Sequence, residues 1–190
     1  TGRTSVDSAL ALEAEDGTTL GEALGSIGYR GEGRVDAGEW DAWLELHVEQ
    51  DTTLEAAEVP VGVVTTITGI AHYVAVVEGE ANHAGATAMD ERGDALVAAG
   101  EVVGDVERAA REVVETDSST AVATVGRLDV APNATNVVPG RAELGIDVRD
   151  VRRESMDHLA DRVRKSLRRV ARDRPVEVSF ETEIDVDPVD

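Results

Sequence analysis

The residues able to do chemistry are few and fall in three stretches. His47 sits in "ELHVEQ", residues 45–50, between carboxylates. An imidazole there is either a packed core side chain or a metal ligand whose partner ligands lie elsewhere. His83 sits in "GEANHAGATAMDERGDA", among small residues that pack poorly as core and let backbone or substrate approach closely. A solvated loop histidine and a catalytic one both remain open for it. The third stretch is "APNATNVVPGRAELGIDVRD". Asn133 after Pro132 suits a turn and needs no function, whereas Asn136, followed by two valines, is placed to aim its amide into a cleft. Arg149 reads equally well as a surface ion pair with Asp147, worth little, or as a bidentate clamp for a carboxylate.

The elements that must position these residues follow from periodicity. In "EDGTTLGEALGSIGY" a turn at Asp16 and Gly17 precedes a short helix capped by Thr19 and stopped near Gly28. In "AWLELHVEQ", Leu44, Leu46 and Val48 alternate with Trp43, Glu45, His47 and Glu49, and this period of two predicts a strand. The pattern changes near residue 69, after "VPVGVVTTITGI". "HYVAVVEG" is then a strand, and residues 93–115 place Leu96, Ala99, Val103, Val106, Ala110 and Val113 on one helical stripe. "STAVATVGRLDV" and "RAELGIDVRD" are two more strands. A second helix carries Met156, Leu159, Val163, Leu167 and Val170 and ends before Pro175, and "VEVSFETEI" is the last strand. Strand, helix, strand, strand, helix, strand is the split βαβ order, an α+β, ferredoxin-like unit in which two helices cover one face of a four-stranded antiparallel sheet. The other face is left for a partner or a site. His72 falls within a strand, and His158 on the polar side of the second helix, in solvent.

Composition bounds the function. A chain of 190 residues with 42% hydrophobic content buries one core, or one domain with part of another. It has no run of eighteen apolar residues and no basic-then-apolar start, so a soluble, cytoplasmic protein with no membrane partner is expected. Thirty-nine acidic against eighteen basic residues give a net charge of -21, with Lys165 the only lysine. Acids scattered along the chain imply a carboxylate-covered folded surface, tolerable where salt screens it, and hence a halophilic source. Phosphate binding needs clustered Lys and Arg, so nucleic acid is not expected as a partner. Zero cysteines exclude disulfides and thiolate metal sites.

Taken in order, "ELHVEQ" followed by "LE", "VGVVTTITG", "HAGATAM" with "ERGDA", "PNATNVVPG" and "DVR" resemble the hydantoinase/carbamoylase family. These are metal-dependent amidohydrolases that include N-carbamoyl-L-amino-acid hydrolases, β-ureidopropionases and allantoate amidohydrolases. "TGRTS" and "EDGTTLGEALGSIGY" resemble the stretch upstream of the histidine motif, so the likeness spans essentially the whole chain.

The resemblance implies a metallopeptidase-like α/β catalytic domain with an inserted domain that dimerises and closes over the site. Residues 1–68 would be a piece of the catalytic domain, 69–185 the inserted domain, and 186–190 the start of the return. By the same comparison His47 matches a ligand of a divalent metal pair (zinc, manganese, nickel or cobalt), and Gln50 a residue of the substrate pocket. His83 matches the histidine that stabilises the tetrahedral oxyanion, and Asn136 and Arg149 the pair that holds the substrate's carboxylate end. The resemblance also implies a homodimer in which some inserted-domain groups serve the neighbouring subunit.

The family's other metal ligands and its adjacent glutamates have no match, so the chain is expected to be part of a longer enzyme and inactive alone. Asp51 stands where glycine is usual, restricting the turn that aims Gln50, and Ala88 stands where proline is usual, loosening the histidine loop. The alternatives are a non-catalytic dimerisation or small-molecule-binding module, and an aminoacylase or peptidase of the same superfamily.

Overall fold

The computed structural model describes residues 4–14, 16–31 and 37–190. They form two compact units, Thr1–Val61 and Gly62–Asp190.

In the first unit, α1 (Val6–Leu10) is capped by the Ser5 hydroxyl, which accepts from the Ser8 N–H. Helix α2 (Leu20–Ser26) begins with a reciprocal cap: Thr19 Oγ1 accepts from the Glu22 N–H, and the Glu22 carboxylate accepts from the Thr19 N–H. Gly17 takes φ 81° in the preceding turn and Gly28 takes φ 72° just past the helix, as the sequence signals require. Helix α3 (Thr53–Ala56) is a single turn. The strand predicted through "AWLELHVEQ" does not form: residues 42–50 carry no ladder, and Leu44 and Leu46 are each 96% exposed. Alternation encodes a strand only where a neighbour accepts its backbone hydrogen bonds. Among the described residues of this unit none does.

The second unit has the split βαβ order that the periodicity predicted. Strand β1 is Gly69–Glu78 and β2 is Asn82–His83; α4 is Ala95–Thr116; β3 is Val122–Ala131, β4 Val137–Val138 and β5 Arg141–Asp150; α5 is Arg153–Asp173 and β6 Glu177–Val186. The main sheet runs β3-β5-β1-β6, antiparallel throughout, while β2 and β4 make a separate two-stranded piece. Ile67 and Val189 exchange both backbone hydrogen bonds, 2.7 and 3.0 Å, so the segments flanking the sheet are tied together and the compact unit starts before β1. Among the described residues no helix is long and apolar enough to cross a membrane.

Alternation in β1 and β5 sends Ala71, Tyr73, Ala75 and Val77, with Ala142, Leu144, Ile146 and Val148, into the core under both helices. Helix α5 buries Met156, Leu159, Val163, Leu167 and Val170, the face predicted from its spacing. Helix α4 is turned by about one position from the predicted stripe. Ala99, Val106 and Val113 of that stripe are buried, together with Ala95, Ala98, Val102 and Ala109, while Leu96 is 37% exposed and Val103 and Ala110 only border the core. Small side chains occupy two overlapping faces of this helix, and four of the seven it buries are alanines. Asp94 caps α4 by accepting from the Val97 N–H. The outer surfaces of the two helices are joined by arginines: Arg169 to Glu101 and Asp105, Arg174 to Glu101, and Arg162 to Glu112.

One carboxylate fastens the end of this unit. Asp150 has no exposed surface, and its Oδ1 accepts from the Ser118 and Thr120 hydroxyls at 2.9 and 2.6 Å and from the Val151 N–H at 2.8 Å. Burial pushes its carboxyl up, but these donors outweigh burial and hold it below the usual range. Asp150→Ala strands three donors, so urea denaturation is expected to give a loss of about 2–4 kcal/mol. A depressed carboxyl contributes fully above its unfolded value of about 3.9 and loses that contribution as pH falls through its lower folded value. The gap between wild type and Asp150→Ala should therefore narrow below about pH 4; a gap constant with pH would contradict it.

Candidate active site

Two segments far apart in sequence meet at one end of the sheet. Asn82 pairs with Val138 and His83 with Val137, and the Ala84 N–H donates to the Asn136 carbonyl at 3.0 Å. The strands leading there cross at backbone distance. The Gly79 N–H donates to the Gly140 carbonyl at 2.7 Å, and a Cβ on Gly79 would lie 2.0 Å from the Gly93 oxygen. Only glycine fits that crossing.

His83 is held in one protonation pattern. Its Nδ1 accepts the Gly85 N–H at 3.0 Å, so in the neutral ring Nε2 carries the proton and is the donor. Its carbonyl accepts from the Ala86 and Thr87 N–H groups and from Thr87 Oγ1. Arg92 then closes the loop, donating to the Ala84 carbonyl at 2.6 Å and to the Thr87 carbonyl at 3.0 and 3.2 Å. Sequence reasoning gave Arg92 no role, although it belongs to the "ERGDA" stretch, where an arginine nine residues after the histidine was the available signal. Ala88 takes φ -60° and ψ 150°, angles open to proline. Asn136 is exposed, and its side-chain amide makes no hydrogen bond among the described residues.

Arg149 lies at the other end. It is on the open face of β5, opposite Ile70 in β1 and Val122 in β3. Arg141, beside the histidine loop, and Arg149 are separated along β5 by about 27 Å at roughly 3.4 Å per residue. Within one copy, then, Arg149 does not join His83 and Asn136. Its Nε and Nη2 donate to Asp147 Oδ1 and Oδ2, each at 2.9 Å, so the ion pair left open above is present. His72 Nε2 lies 2.8 Å from Asp147 Oδ2. Burial raises the Asp147 carboxyl, but Arg149 and then His72 hold it below the usual range. His158 is exposed on α5, as predicted, and its Nδ1 lies 2.6 Å from Asp117 Oδ2, just past the end of α4.

In the first unit His47 is exposed, with Nδ1 2.6 Å from the Val48 carbonyl oxygen. A carbonyl only accepts, so in the neutral ring Nδ1 is the protonated atom and Nε2 keeps its lone pair. Gln50 takes φ 54°, in the left-handed region, and the Asp51 carboxylate accepts from the Thr52 N–H at 2.7 Å and Thr53 Oγ1 at 2.9 Å, which hold it below the usual range. Among the described residues no group of three or more His, Asp or Glu side chains is placed to hold a metal. The described residues do not by themselves fit a metal centre, and His47 offers one imidazole nitrogen.

Comparison with known proteins adds the following. The family model for the peptidase dimerisation domain matches residues 65–175. An N-carbamoyl-L-amino acid amidohydrolase of Geobacillus stearothermophilus is 36% identical over 94% of this chain and 44% of its own length. A ureidoglycolate hydrolase of Arabidopsis thaliana is 34% identical over 95% of this chain and 39% of its own. The crystal structure of a hydantoinase/carbamoylase family amidase from Burkholderia vietnamiensis superposes with a TM-score of 0.84 at 33% identity, over 99% of this chain and 45% of that one. The chain thus spans less than half the length of the curated relatives it matches. With the ordered motifs, the sheet topology and these likenesses in agreement, the chain belongs to the hydantoinase/carbamoylase family of amidohydrolases, with the peptidase dimerisation domain at residues 65–175.

Proposed function

We propose that the protein carrying this chain hydrolyses the ureido C–N bond of N-carbamoyl-L-amino acids or of allantoate-like substrates. The observation that carries the reading is His83: a ring whose proton is kept on Nε2, in a loop clamped by Arg92, next to the unpaired amide of Asn136. As water adds to the ureido carbonyl, negative charge develops on its oxygen, and Nε2–H donates to it. A positioned donor of this kind is worth roughly 3–4 kcal/mol. Asn136 and Arg149 hold the substrate's carboxylate, and Gln50 lines the pocket.

His47, with Nε2 unprotonated, serves as one ligand of a divalent metal whose other ligands come from outside this chain. One imidazole does not hold a catalytic pair, so the chain alone is inactive. The metal's contribution when bound is hydroxide at neutral pH.

The distance between Arg149 and the His83 loop supports a site shared between two copies. The edges of the sheet suggest how they meet. Strand β6 carries Glu177, Glu181 and Glu183, carboxylates that repel another acidic edge, besides Asp185, which Arg153 engages. Strand β3 has one acid, Asp129, offset by Arg127, and exposes Val122 and Leu128. Beside it runs a groove of about 400 Å³ whose apolar floor is Ala110, Val114 and Ala121–Ala123, with Glu107, Arg111 and Glu115 also lining it. The second copy docks there, edge to edge.

Four outcomes are expected. The complete protein should release ammonia from N-carbamoyl amino acids; cleavage of N-acyl or peptide substrates without ammonia would sink the ureido assignment. His83→Ala should lower kcat by about 10²–10³ with the fold retained by circular dichroism. Val114→Glu combined with Val122→Glu should turn the dimer into a monomer by light scattering, and a dimer unaffected by both would exclude the β3 edge. Working in salt is the reading the net charge of -21 supports, so the thermal midpoint should climb as potassium chloride is raised into the molar range; a flat midpoint would remove it.

A further inference from the structure

We infer that Asp147, backed by His72, is a positioning residue for Arg149 and through it sets the preference for substrates that carry a carboxylate. This rests on the reading of Arg149 as the carboxylate clamp. Asp147 takes one edge of the guanidinium, the edge made by Nε and Nη2, at 2.9 Å to each. The opposite edge, one N–H from each terminal nitrogen, has no partner among the described residues, and it is the pair of donors that fits a second carboxylate side by side.

Asp147 is itself fixed from behind. His72 is its register partner on β1, and the His72 Nε2–H donates to Oδ2 at 2.8 Å, the same oxygen that receives Nη2. The carboxylate is thereby held from both sides and cannot turn away from Arg149. No other charged group faces the set from the adjoining strands: Thr124 is opposite Asp147, Val122 and Ile70 are opposite Arg149, and Ile184 is opposite His72. Asp147 is the least exposed of the three, its side chain 28% exposed against 35% at His72 and 47% at Arg149. An anchored carboxylate thus lies inward and a guanidinium with its free edge outward. A freely rotating arginine loses rotamer freedom on gripping its ligand; one already held at Nε and Nη2 loses less.

The test uses the complete protein with N-carbamoyl-L-alanine and its carboxamide, in which the charge of the acid is removed. Asp147→Asn is expected to raise KM for the acid on the order of tenfold, with kcat and the KM of the carboxamide changed less than about twofold. His72→Ala should act in the same direction by about threefold, and His72→Ala with Asp147→Asn should be no worse than Asp147→Asn alone. If Asp147→Asn does not fold, His72→Ala and His72→Gln carry the same comparison. Equal effects on both substrates, or none, while Arg149→Ala still penalises the acid selectively, would overturn the positioning role and leave Arg149 as the clamp. No selective penalty from Arg149→Ala would overturn the clamp, and this inference with it.

Discussion

The register between β1 and β5 governs the sheet unit. Gly69 faces Asp150, His72 faces Asp147 and Glu78 faces Arg141, without interruption over ten residues. Because side chains alternate, a slip of one residue would turn Leu144, Ile146 and Val148 to solvent and Asp147 and Arg149 into the core. The apolar side of the ladder holds the register in place, and the polar side uses it. Both chemically interesting ends of the unit hang from this one pairing: the His72–Asp147–Arg149 set at one end, and at the other the glycine crossing that brings the His83 loop against Asn136.

What the sequence made legible followed from which interactions are local. The β1 and β5 strands and the stripe of α5 were read correctly because each segment records a single buried face. Helix α4 was misjudged by about a position because its alanines and valines spread over two faces, and only the sheet beneath decides between them. "AWLELHVEQ" carries as clean an alternation as β5, yet a strand is a relation between two segments and this one has no partner among the described residues. Among the site residues, Asp147 beside Arg149 was visible as a neighbour two positions away on one face. His72 behind it was not, since the contact spans 75 positions of sequence. The same holds for Asn136, whose proximity to His83 depends on a ladder of two residue pairs.

The acidic character is organised rather than uniform. Carboxylates crowd β6, while the arginines of α5 reach across to α4 and neutralise Glu101, Asp105 and Glu112 where the helices pack. Guanidinium groups suit this work, since one fork engages two carboxylates at once, as Arg169 does. Repulsion is thus relieved where the helices pack and, through Arg153 on Asp185, at one end of β6, and left standing along Glu177, Glu181 and Glu183.

The hydrogen bond from the Gly85 amide to His83 has a further meaning. The proton's location on the imidazole is dictated by the main chain, and every residue but proline presents that same N–H. Side-chain drift in the loop can alter how firmly the ring sits, since a Cβ on Gly85 would come within 3.2 Å of its Cε1. It does not alter which nitrogen bears the hydrogen, so the polarity of the donor is inherited with the backbone path.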